Sequence, residues 1–411
     1  MIKLIKQNQN FRKLAVYITL AGIPQAIFAI FMMWVVHATY QNPMYTGIAA
    51  ALLMVPFIFS FIAGPLVDRW NKATVMRLSM LAEFAAVGAL IFSYFINYPG
   101  VWLFFVVILV FRMAQTFASP ALNALIPKMI EGNDLTAANS AFNIVGLISG
   151  VPFLVVMFLV MGQEGGFGII YIIVAITLLF AAFSTFLLPN DKDKQKDKYA
   201  LKSYFKELGA GFAFAKRTVL FPLMIATFSM SFVDDAAYAN FPAFAGLHMG
   251  DASGYVLLSA LALLGSLIGS IVVAIFHNKL SLVKIIVGGL IVTGLVRIAF
   301  VQLIQINIVA GVLVYVIYMG MATVFAIFFH VITQTVPPNN LVGRISTNVT
   351  SLSALMAALG ALLGGFLGHI INDINIIFLL QGAIYVLIAL CLLLSKKVRK
   401  LPKMSELKPR E

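Results

Sequence analysis

The chain has 411 residues, of which 62% are hydrophobic and 10% charged, and its mean hydropathy is +1.00. A soluble domain carries about 25% charged residues, so water is excluded as the main solvent. The formal charge of +13 points to nucleic acid only where basic residues gather on one folded face, often with interleaved aromatics. Here they are scattered through short loops, and no nucleic-acid partner is expected. The single cysteine, Cys391, can close no intramolecular disulfide.

Lys3, Lys6, Arg12 and Lys13 precede a long apolar run. The run is too long for a signal peptide and no small-residue cleavage site follows, so it is expected to be a retained first helix. Crossing about 30 Å of hydrocarbon takes roughly 20 apolar residues, and 12 such stretches follow one another. Their approximate limits are 14–36, 46–67, 75–96, 101–121, 138–161, 166–188, 219–242, 252–276, 283–303, 308–332, 345–370 and 373–394. The expected fold is therefore all-α and polytopic, with 12 transmembrane helices in two pseudo-symmetric six-helix bundles. The expected organisation is an N-terminal bundle over 1–188, a cytoplasmic linker over 189–218, a C-terminal bundle over 219–394 and a basic tail over 395–411.

Of the 28 Lys and Arg, 26 fall on one side of this map and none on the other. Cytoplasmic loops hold the basic excess, which places both termini in the cytoplasm of a cell (inner or plasma) membrane. The remaining two, Arg112 and Arg297, lie inside spans. Within the linker Leu201, Tyr204, Phe205, Leu208 and Phe212 recur at helical spacing opposite Lys202, Lys206 and Glu207, as in an interfacial amphipathic helix. Loop 4/5, with Ile126-Pro127, is echoed by loop 10/11, with Val336-Pro337 and Gly343-Arg344. Such internal repeats are a recurrent basis of secondary-transporter folds.

No nucleotide-binding G-x-x-x-x-G-K-[ST] occurs, nor H-E-x-x-H or G-x-S-x-G. No enzyme activity, cofactor or metal site is expected. Loop 2/3 reads Gly64-Pro65-Leu66-Val67-Asp68-Arg69-Trp70-Asn71-Lys72. It resembles the G-x-x-x-D-R-x-G-R-[KR] loop of the major facilitator superfamily, departing from it at Asn71 and Ala73. Gly64 is expected to let neighbouring helices approach closely, and Asp68 to pair with Arg69 or with a helix N-terminus. Gly64, Asp68, Arg69 and Lys72 would then form a conformational latch. Asn tolerates left-handed backbone, so the family's turn is expected to survive at Asn71.

In span 4, Arg112-Met113-Ala114-Gln115-Thr116 resembles the R-x-x-Q-G element of the family's proton-coupled exporters. Arg112, Thr116, Ser119 and Asn123 fall within about 60° on a helical wheel, a polar stripe facing protein or water. With Gln115 these residues are candidates for the cavity wall. An arginine at mid-bilayer costs roughly 2.5 to 3.5 kcal/mol on insertion scales and needs a partner. Glu83 in span 3 sits about 12 Å from the cytoplasmic boundary and Arg112 about 13 Å, so the two are expected to pair. In span 5, Gly146-x-x-x-Gly150-Val151-Pro152 is close to the family's antiporter element, with one residue inserted. The glycines permit tight packing and the proline bends the helix.

Span 7 holds Asp234 and Asp235, with Thr227, Ser231, Asp234 and Tyr238 on one polar stripe. Two adjacent carboxylates shielded from bulk water repel one another, so at least one is expected to exchange protons at working pH. Glu83, Arg112, Asp234 and Asp235 are the candidate proton-relay and buried-charge groups. His37, His248 and His369 are expected at the external face, and Arg297 is expected to snorkel to the interface. The runs from Ser119-Pro120 to Asn139 and from Val336-Pro337 to Arg344 resemble the macrolide-efflux and siderophore-exporter branch. The resemblance implies a monomeric secondary transporter in the lipid bilayer, an antiporter exchanging protons for drug-like molecules by alternating access. A siderophore, metal or lysolipid carrier of the same fold is the alternative, and a non-transporting receptor or scaffold is a further one.

Overall fold

The structure, a computed structural model, describes residues 8–97, 100–130, 134–189, 209, 211–276 and 281–401. Among the described residues, ten helices are long and apolar enough to cross a membrane, and two shorter apolar ones, Pro43–Ile58 and Ile144–Val160, complete a set of twelve. They match the twelve expected spans one for one. In chain order α1 is Gln9–Tyr40, α2 is Pro43–Ile58 continued by Ser60–Asp68, α3 is Lys72–Phe95 and α4 is Val101–Met129. Next, α5 is Asp134–Ser149 continued by Val151–Val160, α6 is Gly166–Ser184, and α7 is Leu220–Ala239 continued by Phe241–Met249. Finally α8 is Ala252–Phe276, α9 runs through Lys284–Gly288 and Gly289–Ile306, α10 is Ile308–Thr335, α11 is Asn339–Ile370 and α12 is Asn375–Leu394.

Helix is the answer to a bilayer because it satisfies its own backbone polar groups. The starts are written in the sequence. Asn8, Asn71 and Asn307 accept the backbone N–H groups of Phe11, Thr74 and Ala310 at 3.0 Å each, closing otherwise orphaned donors at the heads of α1, α3 and α10. Asn71 does this from extended backbone, φ −64° and ψ 118°, so the expected left-handed turn is not present there. The asparagine has exchanged a backbone freedom for a helix cap.

Three helices are interrupted where a proline or glycine weakens the ladder. Pro56 lacks the N–H that α2 needs, and the break follows at Phe59. Gly150, followed by Pro152, divides α5. Asn240, followed by Pro242, divides α7.

The chain forms two compact units, Met1–Gln41 with Leu52–Lys198, and Asn42–Ala51 with Tyr199–Glu411. The crossing of Asn42–Ala51 into the second unit was not foreseen. In the first unit α1 and α5 meet through small residues. A Cβ on Gly22 would stand 2.6 Å from Ser149 Oγ, and one on Gly150 would collide with Ala26 Cβ. At the other end of this unit Arg77 ties α3 to the end of α6, its Nε donating to Thr185 Oγ1 at 3.0 Å and its guanidinium lying 3.6 Å from the centre of the Phe186 ring.

In the second unit glycine closes three seams. Gly360 and Gly364 of α11 lie against the backbone of Phe232 and Ala236 in α7. Gly269 of α8 lies against Gly320 of α10, and Gly294 of α9 against Gly382 of α12. The Asn42–Ala51 segment joins in the same manner, with a Cβ on Gly47 only 2.7 Å from Gly365 Cα. Large apolar side chains such as Trp102, Phe180, Ile275, Leu313 and Leu394 are exposed, the mark of helices whose outer faces meet lipid.

Of the linker, Leu201, Tyr204, Phe205 and Leu208 lie outside the described residues, as does the tail beyond Leu401; residues 211–217 are helical.

Candidate functional site

Each unit carries a polar cluster inside its membrane-spanning part. In the first, Glu83 of α3 is completely buried and neither carboxyl oxygen has a hydrogen-bond partner among the described residues. Arg112 of α4 is within electrostatic range, and so is the buried Tyr17 of α1. The expected Glu83–Arg112 pair is close enough to interact electrostatically, but no hydrogen bond joins it among the described residues. On α4, Arg112 Nη1 donates to Gln115 Oε1, one helical turn away, at 2.7 Å. The Gln115 amide nitrogen, also buried, has no acceptor among the described residues. The Arg112 guanidinium sits 5.8 Å from the centre of the Phe57 ring.

The second cluster is joined by hydrogen bonds, with Arg297 Nη1 left without a partner among the described residues. Asp234 Oδ1 accepts from Tyr385 Oη at 2.5 Å and from Gln381 Nε2 at 2.6 Å. Gln381 Nε2 also donates to Tyr318 Oη at 3.1 Å, while Gln381 Oε1 accepts from Arg297 Nε at 2.8 Å. Only one orientation of the amide serves a guanidinium on one side and a carboxylate on the other, so Gln381 relays an arginine to an aspartate. Arg297 is 3% exposed. Its guanidinium is boxed by Tyr318, Phe378 and Phe300, at 4.6, 4.9 and 5.3 Å from the ring centres, close enough for cation–π attraction. The snorkelling expected for Arg297 is thereby corrected. A hydrogen-bonded carboxamide and three rings hold the guanidinium inside the unit rather than at the interface.

Asp235 is half-buried and accepts no hydrogen bond among the described residues. Its place on α7 differs from that of its neighbour. Phe232, Ala236 and Asn240 form the seam against α11, and Asp234 turns to α12. Phe228, Ser231, Asp235 and Tyr238, all half-buried, occupy a separate face about 80° wide.

Residues 14–360 match the sequence profile of the Major Facilitator Superfamily. The chain belongs to this superfamily. Among solved structures, the nucleoside transporter NupG superposes with a TM-score of 0.72 at 14% identity, over 95% of this chain and 99% of that one. A bacterial homologue of the human lysosomal transporter Spinster, described as inward-facing and unoccupied, gives 0.69 at 13% identity over 92% and 94%. An auto-inhibited peptide transporter of the POT family gives 0.70 at 14% over 97% and 99%. At such identities the likeness is one of fold. Compared with curated protein sequences, the chain has no significant match. Major facilitators move small molecules across membranes, and this chain is a membrane-embedded transporter of that superfamily.

The superfamily loop between α2 and α3 is partly described. Asp68 ends α2, Arg69 is exposed and Lys72 is buried at the head of α3. A Cβ on Gly64 would meet no described atom within 4 Å, so the close helix approach expected at Gly64 is not found among the described residues.

Along α4, Thr116 Oγ1 donates to the Arg112 carbonyl at 3.0 Å, while Ser119 and Asn123 are exposed. On α7, Thr227 Oγ1 donates to the Leu223 carbonyl at 3.0 Å. A Cβ on Gly146 would stand 4.0 Å from the Ile18 side chain. Of the histidines, His248 bonds Asn375 Oδ1 at 2.8 Å, His37 is half-buried with its ring 5.6 Å from that of Trp34, and His369 is exposed. Sequence reasoning missed Gln381, Tyr385 and Tyr318. One signal was available, since Gln381 and Tyr385 are polar residues four apart in an otherwise apolar span and so share a helix face.

Proposed function

We propose that this major facilitator is a proton-driven exporter of amphipathic, drug-like molecules of macrolide type. It works as a monomer by alternating access in a cell membrane, with both termini in the cytoplasm. The observation that carries the reading is that each unit holds a carboxylate and an arginine within its membrane-spanning part: the buried Glu83 with the half-buried Arg112, and the half-buried Asp234 with the buried Arg297. Intramembrane charge is expensive and marks ion or substrate pathways.

The half-buried face of α7, with Phe228 and Tyr238 beside Ser231 and Asp235, offers rings and hydrogen-bonding groups side by side, as amphipathic cargo requires. Direction and cargo class rest on the resemblance of the Ser119 to Asn139 and Val336 to Arg344 runs to the macrolide-efflux branch. In this cycle protons descend their gradient through one conformational exchange while cargo leaves by the other.

The test is reconstitution in proteoliposomes with an imposed pH gradient and a panel of macrolides and cationic amphiphiles. With the lumen acidified, protons run outward and an antiporter accumulates cargo inside. Accumulation of at least one compound that collapses with a protonophore is the expected result. Accumulation only under the opposite gradient would mean symport, and none under either gradient would remove the drug-export reading.

A further inference from the structure

The lipid-facing surface of α12 ends in a basic corner remote in sequence from the buried acids of α3 and α7. Along α12, Leu387, Leu390 and Leu394 stand 57%, 49% and 80% exposed. Spaced three and four apart, they share one helix face and form an apolar strip open to acyl chains. Past Leu394 the chain does not leave the protein. It turns at Ser395 into the short helix Lys396–Arg399, and Val398 and Leu401, both buried, fasten that segment to the second unit. Around the buried Val398, Lys396, Lys397, Arg399 and Lys400 are all exposed.

A second basic piece meets this one. The helical residues 211–217 are held to α11, where a Cβ on Gly211 would stand 3.2 Å from Asn348 Nδ2 and 3.3 Å from Arg344 Cβ. At their end Lys216 and Arg217 are exposed, and Lys397 Nζ donates to the Lys216 carbonyl at 3.0 Å. The last carbonyls of a helix lack intrahelical donors, and a cation is favoured there. This one contact sets the Lys397 ammonium against the backbone of a second basic residue, with a third, Arg217, beside it. Among the described residues, 209, 211–220 and 395–401 contain no Asp or Glu. Like charges gathered in this way repel, and an anion lying among them removes the repulsion.

We propose that this corner is a binding site for an anionic phospholipid, its phosphate held among Lys216, Arg217, Lys396 and Lys397 and its acyl chains lying along Leu394, Leu390 and Leu387. Two features select a lipid over a soluble anion. The basic residues begin two positions beyond the exposed Leu394, so a ligand that covers both surfaces carries charge at one end and hydrocarbon at the other. Lys397 uses one of its three donors on the Lys216 carbonyl, which fixes the ammonium and leaves two N–H groups for phosphate oxygens. The bound headgroup bridges the tail to the end of the linker and holds both on the second unit. The site is independent of what the transporter carries.

Native mass spectrometry of the full chain tests this without any cargo. The protein in non-ionic detergent is titrated with phosphatidylglycerol or phosphatidylcholine of identical acyl chains, and bound lipid is counted. Phosphatidylglycerol should bind about fivefold tighter or more, since each basic residue at a membrane surface contributes roughly that factor towards anionic lipid. The Lys216→Gln/Lys397→Gln variant should lose about fivefold or more in phosphatidylglycerol affinity and bind phosphatidylcholine as before. Lys397→Arg, which keeps the charge, should match the wild type, and so should Arg12→Gln/Lys13→Gln, which removes equal charge at the head of α1. Equal binding of the two lipids, equal losses in the two double variants, or undiminished phosphatidylglycerol binding in Lys216→Gln/Lys397→Gln overturns the site. Displacement of phosphatidylglycerol by millimolar inorganic phosphate would make this a site for soluble anions and overturns the lipid assignment.

Discussion

Asp234 and Arg297 are 63 residues apart in sequence and are joined through one amide of Gln381, so each holds the other's charge inside the second unit. Breaking such an arrangement from one side strands the remaining ion, at about 3–5 kcal/mol. Asp234→Asn and Arg297→Gln should each lower thermal stability markedly, whereas the double variant, which strands nothing, should be less destabilised than either. Thermal unfolding of the purified proteins checks this, and additive losses in the double variant would mean that the charges do not interact. Asp234 was visible in the sequence because an acid in an apolar span stands out. Its partners were not, because Gln381 and Tyr385 are 147 and 151 residues away and no local pattern links α12 to α7. Arg297 was noticed and misread, since the sequence gives its depth but not the rings of Tyr318, Phe378 and Phe300 around it.

At the scale of helices, close packing is decided where a backbone touches a backbone. Gly364 lies against the Ala236 backbone, whereas a Cβ on Gly64 meets no described atom within 4 Å. Gly364→Leu should therefore pry α7 from α11, costing about 1–3 kcal/mol or more, seen as a lower unfolding temperature or loss of monodisperse protein. Gly64→Ala should leave the unfolding temperature unchanged; equal losses for the two would show that the seam does not limit stability. The twelve spans were legible because twenty apolar residues in a row have few other uses. The breaks at Phe59 and Asn240 were not, although Pro56 and Pro242 stand beside them, because a proline can be absorbed by a gentle bend as readily as by an interruption. The resemblance at loop 2/3 led to a left-handed turn at Asn71, but the side chain there caps α3.

For the whole molecule, orientation follows from loop charge. The 26-to-0 distribution of Lys and Arg predicts that a cysteine placed at position 195 is labelled by a membrane-impermeant maleimide only after the cytoplasmic face is opened, in a background where Cys391 is replaced. Labelling in intact cells would invert the topology. The two-bundle plan was readable from the linker and the repeated loops, and its one unforeseen detail is the placing of Asn42–Ala51 in the second unit.

That detail has a consequence for biosynthesis. Gly47 leaves the ribosome 318 residues ahead of Gly365, against which it packs. At about 5–20 residues per second, Asn42–Ala51 emerges tens of seconds before its neighbour in α11. Throughout that interval a ten-residue apolar segment waits in the bilayer with its glycine face uncovered. Maturation of the second unit thus depends on a piece of chain inserted before any other part of that unit exists.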